Sequence, residues 1–402
     1  MTATDATAPA SRTPWGLVTL LGALTAMGPL AIDMYLPSLP ALSAELRATP
    51  AAAQWTVAAF LAGMATGQLI YGPMSDRVGR RPTVLTGVAI YLAGSLACAL
   101  APSIGLLIAA RFLQALGAAS GTVVARAVVR DQFGHVDTAR ILSLMMLIMG
   151  LAPILAPLVG GALLTFIGWR AIFWVMTTFG LALGACLFAR LTESRSAEVA
   201  AHAKGEHPVR AYLELFAYRR LVGYALGGAL NGAVLFTYIS SSPDLLIGIY
   251  HIPPAAFGWV FGANAVGVIG GNQVNRHLLR RWTPDEILLR ASLVSAVFAV
   301  LLTAAAVTGI GGRWVLLPIL FVLLSSYGFL QGNTMAGALN VDPRRAGSTS
   351  AIMGSMSFAT GAVAAWGAGV LHDGTPRPMA IVMLVASLGA AISLRRLAVP
   401  RA

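Results

Sequence analysis

Apolar residues run along this chain in stretches of spanning length, separated by short segments rich in arginine, glycine and proline. The stretches fall at 15–37, 54–73, 83–101, 104–125, 141–165 and 171–190, then at 218–240, 255–275, 286–309, 314–337, 346–370 and 378–396. A membrane helix needs about 20 apolar residues, so the pattern predicts an all-α membrane protein with twelve transmembrane helices, helices 1–12 in chain order. The longest polar stretch, 191–214, holds Glu193, Arg195, Glu198, Lys204, Glu206 and Arg210. It splits the chain into two six-helix bundles, an arrangement shared by many transporters. The expected organisation is a tail over 1–14, a bundle over 15–190, a linker over 191–217 and a second bundle over 218–402. The first apolar run is too long for a signal-peptide core and should stay in the membrane.

Only 10% of the residues are charged, against about 25% in a soluble domain. That excludes an ordinary cytosolic enzyme and a secreted disulfide scaffold. A net charge of +12 would point to nucleic acid in a soluble protein, but here the basic residues sort by side. With the N-terminus inside, the outer loops hold Arg47, Arg170, Arg313 and Arg377; the remaining basic residues, Arg111 apart, fall in inner segments. The positive-inside rule then places both termini in the cytoplasm, with membrane lipid and not nucleic acid as the partner. Cys98 and Cys186 both lie in apolar runs and read as small buried hydrophobes; no metal framework is present.

Several chemistries have no residues to carry them. The only lysine, Lys204, follows Ala203, so there is no phosphate-binding loop of an ATP-driven pump. The histidines are scattered, with no H-E-x-x-H spacing, and there is no nucleophile elbow. The chain reads as a non-enzyme with no cofactor and no ATPase partner, and uphill movement would draw on an ion or solute gradient.

Asp33 is the exception among the acids, because it sits within the apolar run 28–37. On an outward-running helix 1 it lies about 6 Å below Pro37. Burying a charge there costs roughly 2.5–3.5 kcal/mol, so the carboxyl must sit in a cavity, be paired, or be protonated part of the time. Arg111 in helix 4 lies about 10 Å below the outer end, a similar depth, and each is a candidate partner for the other. Intramembrane ionisable groups are functional by default, which makes the two candidates for proton coupling.

Between helices 2 and 3 runs Gly72-Pro73-Met74-Ser75-Asp76-Arg77-Val78-Gly79-Arg80-Arg81-Pro82. It resembles the G-x-x-x-D-R-x-G-R-R signature of the major facilitator superfamily. Gly72 would let backbones approach and Gly79 would permit a tight turn; Asp76 would pair with Arg80 or Arg130. The resemblance implies a cytoplasmic latch of Gly72, Asp76, Arg77, Gly79, Arg80, Arg130 and Asp131, set against the start of helix 11. Helix 4 carries Arg111-Phe112-Leu113-Gln114-Ala115-Leu116-Gly117-Ala118-Ala119, similar to the family's R-x-x-Q-G-x-G-A-A stretch with Ala115 in place of a glycine. That resemblance assigns proton coupling to Arg111. In helix 5, Gly150, Pro153, Pro157, Gly160 and Gly161 share an arc of about 100°, and residues 152–161 resemble the motif of exporters in the superfamily, with Ala156-Pro157 where the motif has Gly-Pro. Helix 8 offers Gly262, Gly267, Gly270 and Gly271 as a counterpart, so helices 5 and 8 are expected to form the seam between bundles.

Residues 33–40, Val129-Arg130-Asp131, Gly168-Trp169-Arg170, 238–243 and 346–351 together resemble the Bcr/CflA branch of bacterial drug–proton antiporters. Asp244 stands where an apolar residue is expected, Gln331 where relatives often have proline, and Thr25 where some carry a second acid. The resemblance implies a multi-pass plasma-membrane protein exchanging protons for a drug-like molecule by alternating access. Tyr35, Asn231, Phe236, Tyr238, Phe261, Asn264 and Asn333 are candidates to line its cavity. A proton-coupled symporter importing a metabolite shares the fold and the carboxylate; the helix 5 motif argues against it.

Overall fold

A computed structural model describes residues 15–205 and 208–399; the expected tail at 1–14, together with Glu206 and Arg401, lies outside the described residues. Among the described residues twelve helices are long and apolar enough to cross a membrane. They are α1 (Trp15–Asp33), α2 (Pro50–Val78), α3 (Arg80–Ala99), α4 (Ile104–Gln132), α5 (His135–Phe166) and α6 (Trp169–Arg190), then α7 (Arg219–Pro243), α8 (Pro254–Leu278), α9 (Pro284–Thr308), α10 (Arg313–Leu339), α11 (Ala346–Val370) and α12 (Arg377–Ser393). There is no strand among the described residues.

Local chemistry sets the helix ends. Thr49 accepts from Ala52 N–H (3.2 Å) at the start of α2, with Pro50 in the first turn. Thr283 and Glu286 form a reciprocal capping box on α9, and Gly309 ends that helix in a left-handed conformation (φ 70°). Large apolar side chains such as Leu181, Phe188, Trp366 and Val385 face outward, as a lipid-facing surface requires.

Inside the first six helices, α4 is central and packs against α2, α3 and α1; inside the last six, α7 packs against α10, α11 and α12. The two sets meet along α2 with α11 and along α5 with α8. At one end the turn Leu36–Ser38 after α1 rests on α7 and α8, and the short helix Leu39–Glu45 rests on the segment Asp244–Ile249, so this end is closed across the seam. At the other end the linker forms two short helices, Ala197–Gly205 and Pro208–Leu215. Tyr212 of the second donates to Leu69 O of α2 (3.3 Å), and Glu214 pairs with Arg345 before α11 (2.5 Å), so the linker touches both sets.

Small residues let these helices come close, as membrane interfaces require. Gly63 and Gly67 of α2 face Phe112, Ala115, Leu116 and Ala119 of α4. The glycine that the α4 motif lacks at Ala115 is supplied from α2, because a methyl at either position fills the same gap.

Candidate functional site

Asp33 is the last residue of α1 and is 4% exposed. Among the described residues its carboxylate has no hydrogen bond and no ion pair. The ion pair between Asp33 and Arg111 is not formed. Arg111 is fully buried and donates from Nη1 to Ala31 O (2.9 Å) and to Gln114 Oε1 (2.6 Å). Ala31 lies in the last turn of α1, where carbonyls lack helical partners, so the guanidinium caps the helix end that carries Asp33. Its plane lies among three rings, 4.2 Å from Phe60, 4.5 Å from Tyr35 and 5.8 Å from Phe173. Nε and Nη2 have no hydrogen-bond partner. Similar depth from the sequence held for the two residues, but their rotational phase sends Arg111 to the backbone of α1 and not to its last side chain.

Gln114 extends the cluster, donating to Ser95 Oγ (2.8 Å) and towards Met176 Sδ (3.4 Å). Tyr35 is placed in this cluster and not in an open cavity: its hydroxyl bonds Thr56 Oγ1 (2.8 Å) and its ring tilts against Phe173. Phe60 and Phe173 carry no signal in the sequence, because single aromatics in apolar runs do not reveal what they face; Gln114 stands in the helix 4 motif, but the resemblance assigns a role to Arg111 alone.

On the opposite set of helices, Tyr238, Phe261 and Asn264 come together. Asn264 Nδ2 donates to Tyr238 Oη (2.9 Å), and the Tyr238 and Phe261 rings stack at 5.3 Å. Asn231 lies two turns along α7 and, like Asn264 through Oδ1, keeps a buried amide atom with no partner. Phe236 and Asn333 are not part of this wall. Phe236 packs on Phe358 of α11 (5.1 Å), and Asn333 is tied to Asn275 of α8 (2.8 Å).

The small residues of α5 divide their duties. A Cβ on Gly161 would come 2.9 Å from Pro254 O, and Gly150 faces Ile269 of α8. Gly160 instead makes room for the Met34 carbonyl, directly after Asp33. α5 continues through Pro153 and Pro157 without a break. From α8, Gly258 and Gly262 meet Leu158 and Ile154 of α5, whereas Gly267 and Gly271 meet α10 and Gly270 meets nothing within 4 Å. Of the expected counterpart stripe, then, Gly262 alone faces α5, while Gly267 and Gly271 serve an α8–α10 contact.

The signature around Asp76 is not a loop. α2 runs to Val78, α3 starts at Arg80, and Gly79 alone (φ 124°) makes the break. Gly72 has no neighbour within 4 Å of a would-be Cβ, so it serves no close approach. Arg80 is buried; it pairs with Asp76 and, through Nε, with Asp131 (2.8 Å), and it donates to Ser75 Oγ (2.9 Å). Asp76 takes Arg80 as its partner and not Arg130. The linker staples the break. Glu193 accepts from the N–H groups of Arg80 (2.9 Å) and Arg81 (3.2 Å) at the start of α3, and Arg195 donates to the Asp76 (3.2 Å) and Arg77 carbonyls at the end of α2. An acid at a helix N-terminus and a base at a C-terminus both suit the macrodipole. Partial burial works to raise the Glu193 carboxyl pKa, but its four backbone N–H donors outweigh that and hold it below the ordinary range. Cys98 is buried, while Cys186 is exposed on α6. Among the described residues no three His, Cys, Asp or Glu side chains could hold a metal.

The family profile of the Major Facilitator Superfamily matches residues 21–365. The chain is 35% identical over 389 residues to the uncharacterized MFS-type transporter YdgK of Bacillus subtilis, with 94% of each chain covered. It is 30% identical over 363 residues to a bicyclomycin resistance protein homolog of Haemophilus influenzae, covering 90% of this chain and 91% of the relative. Multidrug resistance protein MdtL of Escherichia coli is 35% identical over 243 residues, 60% of this chain and 61% of that protein. Among solved structures, a D-xylose–proton symporter superposes with a TM-score of 0.75 at 12% identity, covering 95% of this chain and 97% of that one; it shares the fold.

Proposed function

Since the chain belongs to the Major Facilitator Superfamily, in its Bcr/CflA branch, we propose that it exports drug-like small molecules from the bacterial cytoplasm in exchange for protons. The observation that carries this reading is Asp33: a buried carboxyl with no partner, at the tip of a helix whose following turn, Leu36–Ser38, rests on α7 and α8 of the other set. A group so placed takes up a proton or a cationic or hydrogen-bonding cargo at little structural cost, and cannot remain charged and unpaired while the seam closes. Asn264 Oδ1 and Asn231 Nδ2 are buried amide atoms without a partner, and they offer hydrogen bonds to cargo.

The distribution of arginines assigns the Asp76 end to the cytoplasm. Alternating access then rocks the six helices of 15–190 against those of 218–402, with the linker of 191–217 spanning them. A proton taken from outside weakens cargo affinity at Asp33 and favours closure; release inside resets the site for cargo. The ligand thereby shifts a two-state equilibrium by its differential affinity. Arg111, capping the helix end next to Asp33, transmits the charge state of that carboxyl to the aromatic cluster. The α5–α8 contact limits proton leak along the seam. The driving force is about 2.3 kcal/mol per charge per 100 mV, before any pH gradient.

The test is drug accumulation in cells with and without an uncoupler, comparing wild type with Asp33→Asn. Uncoupler-sensitive efflux that is lost in Asp33→Asn supports the reading. Unchanged efflux in the variant removes Asp33 from the proton path, and uncoupler-sensitive uptake makes the protein a symporter.

A further inference from the structure

Outside the Asp33 cluster, one titratable pair stands at the closed end of the molecule. Asp244 begins a π-helical segment, Asp244–Ile249, directly after α7, and His372 follows α11; their side chains meet at 2.9 Å and are 24% and 19% exposed. π turns are costly and mark places where a helix re-aims its end. The pair therefore braces the exits of α7 and α11, both of which the first six helices close upon. The Asp244–Ile249 segment receives the short helix Leu39–Glu45, and Gly369, one turn before His372, lies against Trp55 of α2.

A cavity of ≈ 10 Å³ sits beside the pair, walled by Ser241, Asp244, Ala368, His372 and Pro376 from one side of the seam and by Gln54 of α2 from the other. Gln54 (3% exposed) and Ser241 (5%) each hold a buried oxygen with no partner there. The space takes one water, with enough polar groups around it to bind it. The other ionisable groups nearby are engaged elsewhere: Asp373 with Thr375, Arg377 with Val307 O, and Glu45 with Arg170 and Trp169. Tyr250 and His251, at the end of the segment, do not line the cavity.

We propose that His372 and Asp244 form a second proton-binding site, separate from Asp33, whose protonated state holds this end of the seam closed. Imidazole changes charge between about pH 5 and 8. Protonated His372 neutralises the three-quarters-buried Asp244 and keeps α7 and α11 braced; deprotonation leaves a half-desolvated carboxylate with no counter-charge and loosens the surface that Gln54 and the short helix rest on. The closed form binds the proton more tightly, so acid favours closure. This inference builds on the exporter reading, in which the closed end faces outward, but its test needs no cargo.

The experiment measures distances between spin labels on the α2 and α11 ends nearest Gln54 and Ala368, in purified full-length protein carrying Asp33→Asn to silence that carboxyl. As pH rises from about 5 to 8 the closed-to-open ratio should fall. His372→Gln and Asp244→Asn should flatten the response. His372→Arg, which keeps a permanent charge, should stay closed at both pH values, an outcome that a purely structural role for the histidine does not produce. A pH response of the same size in His372→Gln overturns the proposal. Loss of drug efflux in Asp33→Asn, or its persistence, bears on the exporter reading alone.

Discussion

Arg111 shows how a charge can be kept in oil without a counter-ion. Two acceptors and three ring faces replace the carboxylate that its depth in the membrane suggests. The guanidinium suits this place because it is planar, stacks on aromatic faces and presents donors in a fixed fork. A lysine at the same position keeps the charge and can still donate from one nitrogen, but it loses the flat face that lies among the three rings. Charged hydrogen bonds of this kind are worth about 1.5–3 kcal/mol each. Arg111→Lys is therefore expected to lower the melting temperature in detergent and to reduce uncoupler-sensitive efflux roughly tenfold or more. A lysine variant with wild-type melting and efflux would show that only the charge matters. Asp33 and Arg111 were legible in the sequence because a charge in an apolar run needs no structure to stand out. Their lack of a mutual bond was not, since linear depth says nothing of the direction in which a side chain leaves its helix.

At the scale of elements, the twelve spans and their order could be read from hydropathy, whereas the α5–α8 seam was expected from the small residues of those two helices. What hydropathy misses is the helical character of polar ends. The Asp76 signature reads as a loop because it is charged, yet it is helical on both sides of Gly79, and the residues that stabilise the break lie over a hundred positions further on in the linker. Glycine is required at 79 for two reasons: φ is 124°, and a Cβ there would come 2.5 Å from Glu193 Oε2. Because Glu193 titrates below the ordinary glutamate range, its cap is fully present above about pH 4.3 and is lost as pH falls through its own lower value. Glu193→Gln should cost about 0.5–1 kcal/mol at neutral pH, the low end for a cap because the carboxylate is solvent-exposed and screened. Its thermal stability should also fall less steeply than that of wild type on acidification below about pH 4. Parallel acid profiles for the two proteins would remove the carboxylate from this role.

Across the whole molecule, the two ends of the seam are held by different chemistry. The end near Asp244 is closed by the packing of residues 36–45 on the second set, whereas the end near Asp76 is crossed by the linker helix Pro208–Leu215. There Glu214 accepts from Arg210 and Arg345, and the two guanidinium groups hold its carboxyl below the usual range. Deeper along the same seam, Ser355 donates to Ala65 O (2.9 Å), and Gly354 leaves room for Gln68. The buried contacts belong to any closed form of this interface, while the Glu214–Arg345 pair is partly exposed and so tunable. Exposed pairs contribute little, so Glu214→Gln should open this end only modestly, by a few-fold at most. Screening supplies the control: near 1 M salt the Debye length is about 3 Å, and wild type and Glu214→Gln should then give the same distance distribution between labels on the α2 and α11 ends. At low salt the variant should open more. A difference between the two that survives high salt would mean that the side chain acts by packing, and the linker would then be a fixed strut and not an adjustable tie.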